Sequence, residues 1–302
     1  MHFLCLYGVV MQRADLLSSV RQFLDGQGIL VGAIPLTKCR ITRGYLLDRF
    51  EIDKISGTAI MLAVPYIVSD VAKSNTNNVS LYAVARDYHL FFERLSDTLL
   101  PRLQEDFPNY KFKIFADHSP IDERDAAVRA GLGVMGSNGL LITEKYGSFV
   151  FLGELITNAP VGPSELLPSS EKLPTCEECG LCLAACPVGC AEGNRDGCLS
   201  ALTQKKGVLT DKEKDILATH SLLWGCDLCQ LACPHNQKVI QSNVNTSVEF
   251  FTEELIPSID ESIINSMSDK EFGSRAYAWR GKDTLLRNIS IKNHFKEKEG
   301  LC

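Results

Sequence analysis

The residues of this chain best suited to chemistry are cysteines gathered in two short runs, 176–187 and 226–234. The first run reads Cys-x2-Cys-x2-Cys-x3-Cys-Pro, which is the spacing of bacterial iron–sulfur ligand loops. The second run repeats this spacing with its first cysteine displaced upstream, to Cys198. Eight cysteines and two Cys-Pro endings therefore predict two 4Fe–4S clusters.

The ligand sets follow from two-cluster ferredoxins, in which the cysteine before proline binds the other cluster. One predicted cluster is bound by Cys176, Cys179, Cys182 and Cys233, and the other by Cys186, Cys198, Cys226 and Cys229. Zinc is the alternative, because Cys-x2-Cys pairs also suit zinc ribbons. Three close cysteines in one run and the two Cys-Pro endings favour iron.

Cys190 is the alternative to Cys198 as the eighth ligand, but it follows Cys186 too closely to bridge comfortably. Twelve cysteines minus eight ligands leave four, which we interpret as plain thiols: Cys5, Cys39, Cys190 and Cys302.

Composition places the chain among ordinary globular proteins. It has 302 residues, 45% of them hydrophobic and 23% charged, with a net charge of −6 that argues against nucleic-acid binding by overall field alone. No apolar run reaches the roughly 18 residues of a membrane span. The apolar run 3–10 is too short for a signal peptide, and Met11 is an alternative start. We expect a cytoplasmic protein with reduced thiols.

The periodicity of apolar residues predicts the elements that must position these cysteines. Helices are predicted over 13–27, over 80–103 and from Ser119, which would cap a helix with Pro120 at its first position. Strands are predicted over 29–34, 58–68 and 111–116, with a hairpin formed by 140–143 and 148–157. Four glycines within 131–139 predict a loop whose backbone can approach a ligand closely.

These elements predict an α+β fold in three parts. An N-terminal α/β domain spans residues 1–160, and prolines between 160 and 174 mark a linker. A ferredoxin-like double-cluster module follows over 174–240, and a short helical extension over 241–302.

Several stretches make the chain resemble the epoxyqueuosine reductase family, which acts in the last step of queuosine synthesis on tRNA. They are Ser80-Leu-Tyr-Ala-Val-Ala-Arg-Asp-Tyr-His89, Ala116-Asp-His-Ser-Pro120 with Glu123-Arg124, Ala130–Gly133 through Gly136-Ser-Asn138 to Ile142, Cys198–Gln204 through Gly225-Cys-Asp227 to Pro234, and Trp279–Lys282. The resemblance as a whole covers about 80% of the chain.

The resemblance implies a cobalamin enzyme whose N-terminal domain is similar to that of reductive dehalogenases and holds the corrin. The two clusters would feed electrons to cobalt, and Asp117 falls on the family's proton-donor position. The residues that match family positions near the cofactor are Ser80, Tyr82, Asp117, Ser137, Asn138, Thr203 and Gln204. The implied partners are tRNA and an external electron donor such as flavodoxin or ferredoxin, with no membrane and a monomeric protein.

Without the resemblance, the residue pattern gives less direct support to Asp117 as a proton donor. A proton donor needs a pKa raised by burial, whereas an aspartate at this point could simply cap the helix predicted from Ser119. His89 reads as a packed or hydrogen-bonded histidine rather than a ligand.

The chain also departs from the family pattern. Ser137 stands where lysine is usual, and Ala85 where glycine is usual. The chain ends about 20 residues after the Trp279–Lys282 stretch, without the helical-repeat tail that commonly helps to hold tRNA. A related corrinoid reductase with another substrate and a two-cluster electron-transfer protein are the alternative functions.

Overall fold

The computed structural model describes residues 15–160, 175–190 and 197–298. Several sequence features lie outside the described residues: the apolar run 3–10, Met11, Cys5, Cys302 and most of the proline-rich linker. Within the described part of the chain, no helix is long and apolar enough to cross a membrane.

A four-stranded sheet lies at the centre of the N-terminal part. Its strands are β1 (Leu30–Pro35), β2 (Thr58–Pro65), β3 (Phe112–Phe115) and the later β6 (Val150–Thr157), and a separate pair is formed by β4 (Val134–Met135) and β5 (Leu141–Ile142). The order in the large sheet is β1-β2-β6-β3, and each neighbouring pair is antiparallel. All eight residues of β2 are buried, so its continuous apolar sequence reflects cover on both faces.

The predicted hairpin of 140–143 and 148–157 is wrong. β5 pairs with β4, while β6 lies between β2 and β3. Among the described residues, an isolated bridge from Thr143 to Gly147 is what joins the two stretches. Most of β6 is buried, which suits a central strand better than the exposed edge of a hairpin.

Helices cover both faces of the sheet. On one face lie α1 (Leu16–Phe23) and α4 (Tyr88–Asp106), and on the other lie α2 (Gly44–Arg49) and α5 (Glu123–Arg129). The remaining helix of this part, α3 (Ser69–Lys73), contacts the later α10 (Pro234–Gln241). An antiparallel sheet between helical layers fits the predicted α+β fold.

Two helix starts differ from the sequence prediction. The stretch from Ser80 is not α-helical: residues Leu81–Ala83 form a 3-10 turn, and α4 begins at Tyr88 behind its cap Asp87. The next helix begins at Glu123, where the Asp122 side chain accepts a hydrogen bond from the Asp125 backbone N–H at 3.2 Å. Ser119 and Asp117 are therefore not its caps.

The described C-terminal part is helical, as predicted, and the cysteine module is also built from short helices. Besides α10, their helices are α6 (Leu181–Ala184), α7 (Leu199–Thr203), α8 (Asp211–Ala218), α9 (Leu228–Leu231), α11 (Glu261–Ser266), α12 (Asp269–Gly273) and α13 (Lys282–Lys298). Trp224, Tyr277 and Leu285 pack in one core with Val79 and Val84. The C-terminal helices thus share a core with the N-terminal part. The three predicted domain boundaries stay a prediction.

Candidate active site

Two cavities collect the cysteines of the module. The first is lined by Cys176, Cys179, Cys182 and Cys233, and its opposite wall is the loop Gly136–Asn138. The second is lined by Cys186, Cys190, Cys198, Cys226 and Cys229. The described cysteines are free thiols, so soft ligands are available on both cavities. The two ligand sets themselves stay a prediction.

Local backbone geometry makes the tight cysteine loops possible. Gly180 has φ +73° and is the N-cap of α6, so the chain reverses between Cys179 and Cys182 at a position that favours glycine. Pro234 is the first residue of α10 and Cys233 its cap, which turns Cys233 towards the first cavity. In the described part of the chain, no three Cys, His, Asp or Glu side chains converge on a site for a single metal ion.

The second cavity is large, about 580 Å³, and extends from the cysteines to the sheet. Its apolar wall consists of Leu140, Leu141, Val150, Phe151 and Leu152. Its polar wall includes four of the residues that the sequence singled out: Ser80, Tyr82, Asp117 and Asn138.

The other three singled-out residues lie elsewhere. Ser137 lines the first cavity, where its Oγ is 3.4 Å from Cys176 Sγ. Thr203 is fully buried, and its Oγ1 accepts a hydrogen bond from the Gly225 backbone N–H at 2.9 Å. Gln204 lies behind the cavity wall and donates to Ser200 Oγ at 3.1 Å.

A buried carboxylate joins the cysteine module to the N-terminal part. Asp227 accepts hydrogen bonds from the Ser80 hydroxyl and, at 2.7 Å, from the Leu81 backbone N–H. Burial raises its pKa to about 6, although these hydrogen bonds oppose the shift. Beside this pair, Trp224 Nε1 donates to Tyr82 Oη at 2.9 Å. The residues after Ser80 are therefore held by tertiary contacts.

Asp117 is on the far side of the cavity, in the left-handed region at φ +61°. The Tyr88 hydroxyl donates to its carboxylate, and His89 Nε2 is 3.4 Å from Asp117 Oδ2. His89 Nδ1 lies 2.8 Å from Asp87 Oδ1. The Tyr88 ring stacks on Phe151 at 4.4 Å. His89 is thus the hydrogen-bonded histidine that the sequence predicted, and it bridges two aspartates.

These contacts set the charges around Asp117. Burial raises the pKa of Asp117, but hydrogen bonds from His89 and Tyr88 outweigh it, so the net shift is downward. Hydrogen bonds to Asp117 and then to Asp87 raise the pKa of His89 to about 10. At neutral pH the proton of this pair therefore resides on His89, and Asp117 is ionised.

Two further carboxyl groups lie behind Asp117, and the sequence reasoning missed their role. The Asp117 backbone N–H donates to Glu123 Oε1 at 3.0 Å, and Glu123 also lines the large cavity. Glu154 is fully buried on β6. A glutamate within the apolar run Val150–Thr157 was the available signal, because buried charged residues are rare.

Comparison with known proteins gives two matching family models. One, described as a 4Fe-4S double cluster binding domain, matches residues 175–236. The other, described as epoxyqueuosine reductase QueG, matches residues 54–118. The first match agrees with the predicted double-cluster module.

Individual relatives agree with these models. The chain is 37% identical to epoxyqueuosine reductase of Listeria monocytogenes over 220 residues, which are 70% of this chain and 56% of that protein. It is 32% identical to epoxyqueuosine reductase of Bacillus subtilis over 274 residues, which are 87% of this chain and 68% of that protein. The chain thus spans little more than half the length of the first curated relatives it matches.

A solved structure is similar along most of the chain. It is the crystal structure of epoxyqueuosine reductase with a tRNA-Tyr epoxyqueuosine-modified tRNA stem loop. The TM-score is 0.67 at 26% identity, and the match covers 93% of this chain and 81% of that one.

Proposed function

Because the chain belongs to the epoxyqueuosine reductase family, we propose that it reduces epoxyqueuosine to queuosine in tRNA. The observation that carries the proposal is the 580 Å³ cavity, which has cluster-type cysteines on one wall and the Asp117–His89 pair on another. Such a cavity brings an electron source and a proton source to one substrate.

Cobalamin is the cofactor that we propose for this cavity. Its walls fit a large, flat and partly apolar group, since Leu141, Phe151 and Leu152 alternate with polar contacts such as Ser80 and Asn138. The cysteines of the second set border the same space, so electrons need not cross the protein core. When bound, cobalamin supplies low-potential reducing chemistry at its cobalt.

The reaction determines what the protein's own residues must deliver. Converting an epoxide to an alkene breaks two C–O bonds, forms one C=C bond and releases water, which consumes two electrons and two protons. The electrons come from the external donor by way of the clusters. Asp117 faces the cavity and is 62% exposed, so it is the group that hands a proton to the leaving oxygen. Since Asp117 is itself ionised, its proton comes from His89 at 3.4 Å.

The ligand sets of the sequence prediction are part of the proposal. Cys198 lines the same cavity as Cys226 and Cys229, and its charge adds to the burial that raises the pKa of both thiols. Cys190 is buried, and its thiol donates to the Val188 carbonyl at 3.8 Å. This arrangement supports Cys198 as the ligand and Cys190 as a neighbour.

Transfer RNA is the proposed partner, despite the net charge of −6. A hollow of about 630 Å³ adjoins the large cavity through their shared residue Arg124. Its lining holds four basic side chains (Lys38, Arg40, Arg124 and Arg129) against two acidic ones (Asp122 and Asp125). A local positive surface at the mouth of the cavity suits the phosphates beside a modified nucleoside. We further propose a flavodoxin or ferredoxin as electron donor, a monomeric protein and a cytoplasmic location.

The test is reconstitution followed by turnover. Protein loaded anaerobically with iron, sulfide and cobalamin is desalted, and the retained corrin absorbance is measured beyond the broad cluster shoulder. It is then reduced and incubated with epoxyqueuosine tRNA. We expect corrin retention and queuosine; retention without queuosine would point to a corrinoid reductase with another substrate.

A further inference from the structure

Among the described strands of the sheet, Glu154 is the one charged residue whose side chain is buried. It lies in the middle of β6, opposite Met61 of β2 and Phe115 of β3, and its side chain is fully buried. Along β6, Leu155 packs with the α4 side and Ile156 with the α5 side, so alternation places Glu154 on the α5 side. Neither carboxylate oxygen has a well-formed hydrogen bond.

The groups facing Glu154 come from several elements. Ser119 and Glu123 interact with it, from the loop before α5 and from α5 itself, and the charge of Asp117 also acts on it. Cys39 faces it from beyond β1, with a pKa that burial raises to about 12. Arg43 is a cation near this group: its charge acts on Glu123, and its guanidinium donates to the Ser119 carbonyl at 3.1 Å.

It is energetically unfavourable for Glu123 and Glu154 to be ionised at the same time. An apolar layer penalises each charge, and two like charges at close range penalise the second further. Burial, followed by Asp117, raises the pKa of Glu123 to about 7. Burial, followed by Glu123, raises the pKa of Glu154 well above its ordinary value. The pair thus holds at least one proton at neutral pH.

Glu123 connects this pair to the cavity. One of its oxygens accepts the Asp117 backbone N–H at 3.0 Å, and its side chain lines the same space as Asp117. Glu154 touches neither the cavity nor solvent in the described structure. A proton on Glu154 can therefore reach the cavity through Glu123.

We propose that Glu123 and Glu154 form a buried acid pair that supplies the second proton of the reduction. This inference rests on the proposed function, which needs two protons for each oxygen removed as water. One proton comes through Asp117 from His89. The other leaves Glu123 for the same oxygen, and Glu154 returns it to Glu123. Glu154 is a positioning residue for that proton, and Glu123 also fixes the Asp117 loop.

The first test does not depend on substrate or cofactor. Infrared difference spectra between about pH 5 and pH 9 detect the carbonyl stretch of a protonated carboxyl group. We expect wild-type protein to keep such a band near pH 7, and Glu154→Gln to keep only the part that comes from Asp227, whose pKa is about 6. Glu105→Gln, at an exposed glutamate of α4, is the matched control and should keep it. A band that persists unchanged in Glu154→Gln overturns the inference.

The second test measures stability against pH. A carboxyl group with a raised folded-state pKa stabilises the fold below its unfolded pKa of about 4.5, and this stability is lost as pH rises through the folded value. Wild-type protein should therefore lose stability through about pH 7, and Glu154→Gln should lose less. If Glu154→Gln fails to fold, Glu123→Gln on the half-buried cavity wall serves instead. Identical pH slopes in wild type and variant contradict the inference.

Turnover separates this inference from the proposed function. We expect Glu123→Gln and Glu154→Gln to make queuosine about 10- to 100-fold more slowly, with an altered pH profile and unchanged tRNA affinity. Wild-type turnover in both variants overturns the acid pair while leaving the proposed function intact. No queuosine from wild-type protein, with the infrared band present, overturns the function alone.

Discussion

His89 Nε2 lies 3.4 Å from Asp117 Oδ2, and the same imidazole holds Asp87 through Nδ1 at 2.8 Å. A histidine shared by two carboxylates keeps its proton well above neutral pH, whereas the carboxylate that faces the cavity stays ionised. The acid of this site is therefore a pair. Asp117 alone would be a poor proton donor because it is ionised at neutral pH, and His89 supplies the proton.

Replacing Asp117 with Asn should slow turnover by about 100-fold or more, since it removes the group that passes the proton. The clusters and bound cobalamin should be retained, because Asp117 is not a predicted cluster ligand and its side chain is 62% exposed. Queuosine formation and absorbance, measured on the same preparation, check both parts. Wild-type turnover in Asp117→Asn would remove it from the mechanism.

His89→Gln should flatten the dependence of stability on alkaline pH. The folded pKa of His89 is about 10, above its ordinary 6.5, so its ionic stabilisation is complete below 6.5 and is lost as pH rises through 10. The free energy of unfolding should fall over that range in wild type and fall less in His89→Gln. His294→Gln, at an exposed histidine of α13, is the control. Equal slopes in all three proteins would contradict the contact with Asp117.

Cys198→Ala should lower bound iron from about eight to about four atoms per chain, because it leaves one cluster with three ligands. Cys190→Ala should leave the iron content near eight. Iron and acid-labile sulfide assays on anaerobically reconstituted protein decide between them. If Cys190→Ala loses the iron instead, the second ligand set must be redrawn around Cys190.

Gly225→Ala should destabilise the junction between the cysteine module and the N-terminal part. Its φ is +70°, and an added Cβ would lie 2.4 Å from Ser80 Cβ and 3.0 Å from the Tyr82 ring. We expect a loss of about 2–4 kcal/mol from backbone strain and overpacking together. Gly207→Ala, at φ +79° with nothing within 4 Å, should show the strain alone, about 1 kcal/mol. Similar losses at both positions in denaturant melts would argue against a close junction.

Local patterns predicted some of this structure well. Runs of apolar residues located β1, β2 and β3, because the residues of a buried strand are themselves mostly apolar. The helix predicted from Ser80 failed, since Asp227 captures the Ser80 hydroxyl and the Leu81 N–H from 147 and 146 residues away. The local periodicity of apolar residues cannot predict a contact between residues so far apart in the sequence.

The candidate site shows the same division. Cysteine spacing, together with the rule that the cysteine before proline binds the other cluster, predicted two sets of four thiols, and these sets stay a prediction. The pairing of Asp117 with His89, and of Glu123 with Glu154, depends on how the loop before α5 passes the first turn of α4 and the face of β6. The sequence could mark Glu154 as unusual, but its partner required the fold.

The most direct test of the central claim is the mass of the modified nucleoside after a reaction with reduced, cobalamin-loaded protein. Epoxyqueuosine tRNA is incubated with wild type, with Asp117→Asn and with wild type lacking cobalamin. The tRNA is then digested, and the masses of the nucleosides are measured by mass spectrometry. The proposed function predicts loss of one oxygen atom, giving queuosine, in the wild-type reaction and little or none in the other two. A wild-type reaction that retains corrin and reduced clusters yet leaves epoxyqueuosine unchanged would contradict it.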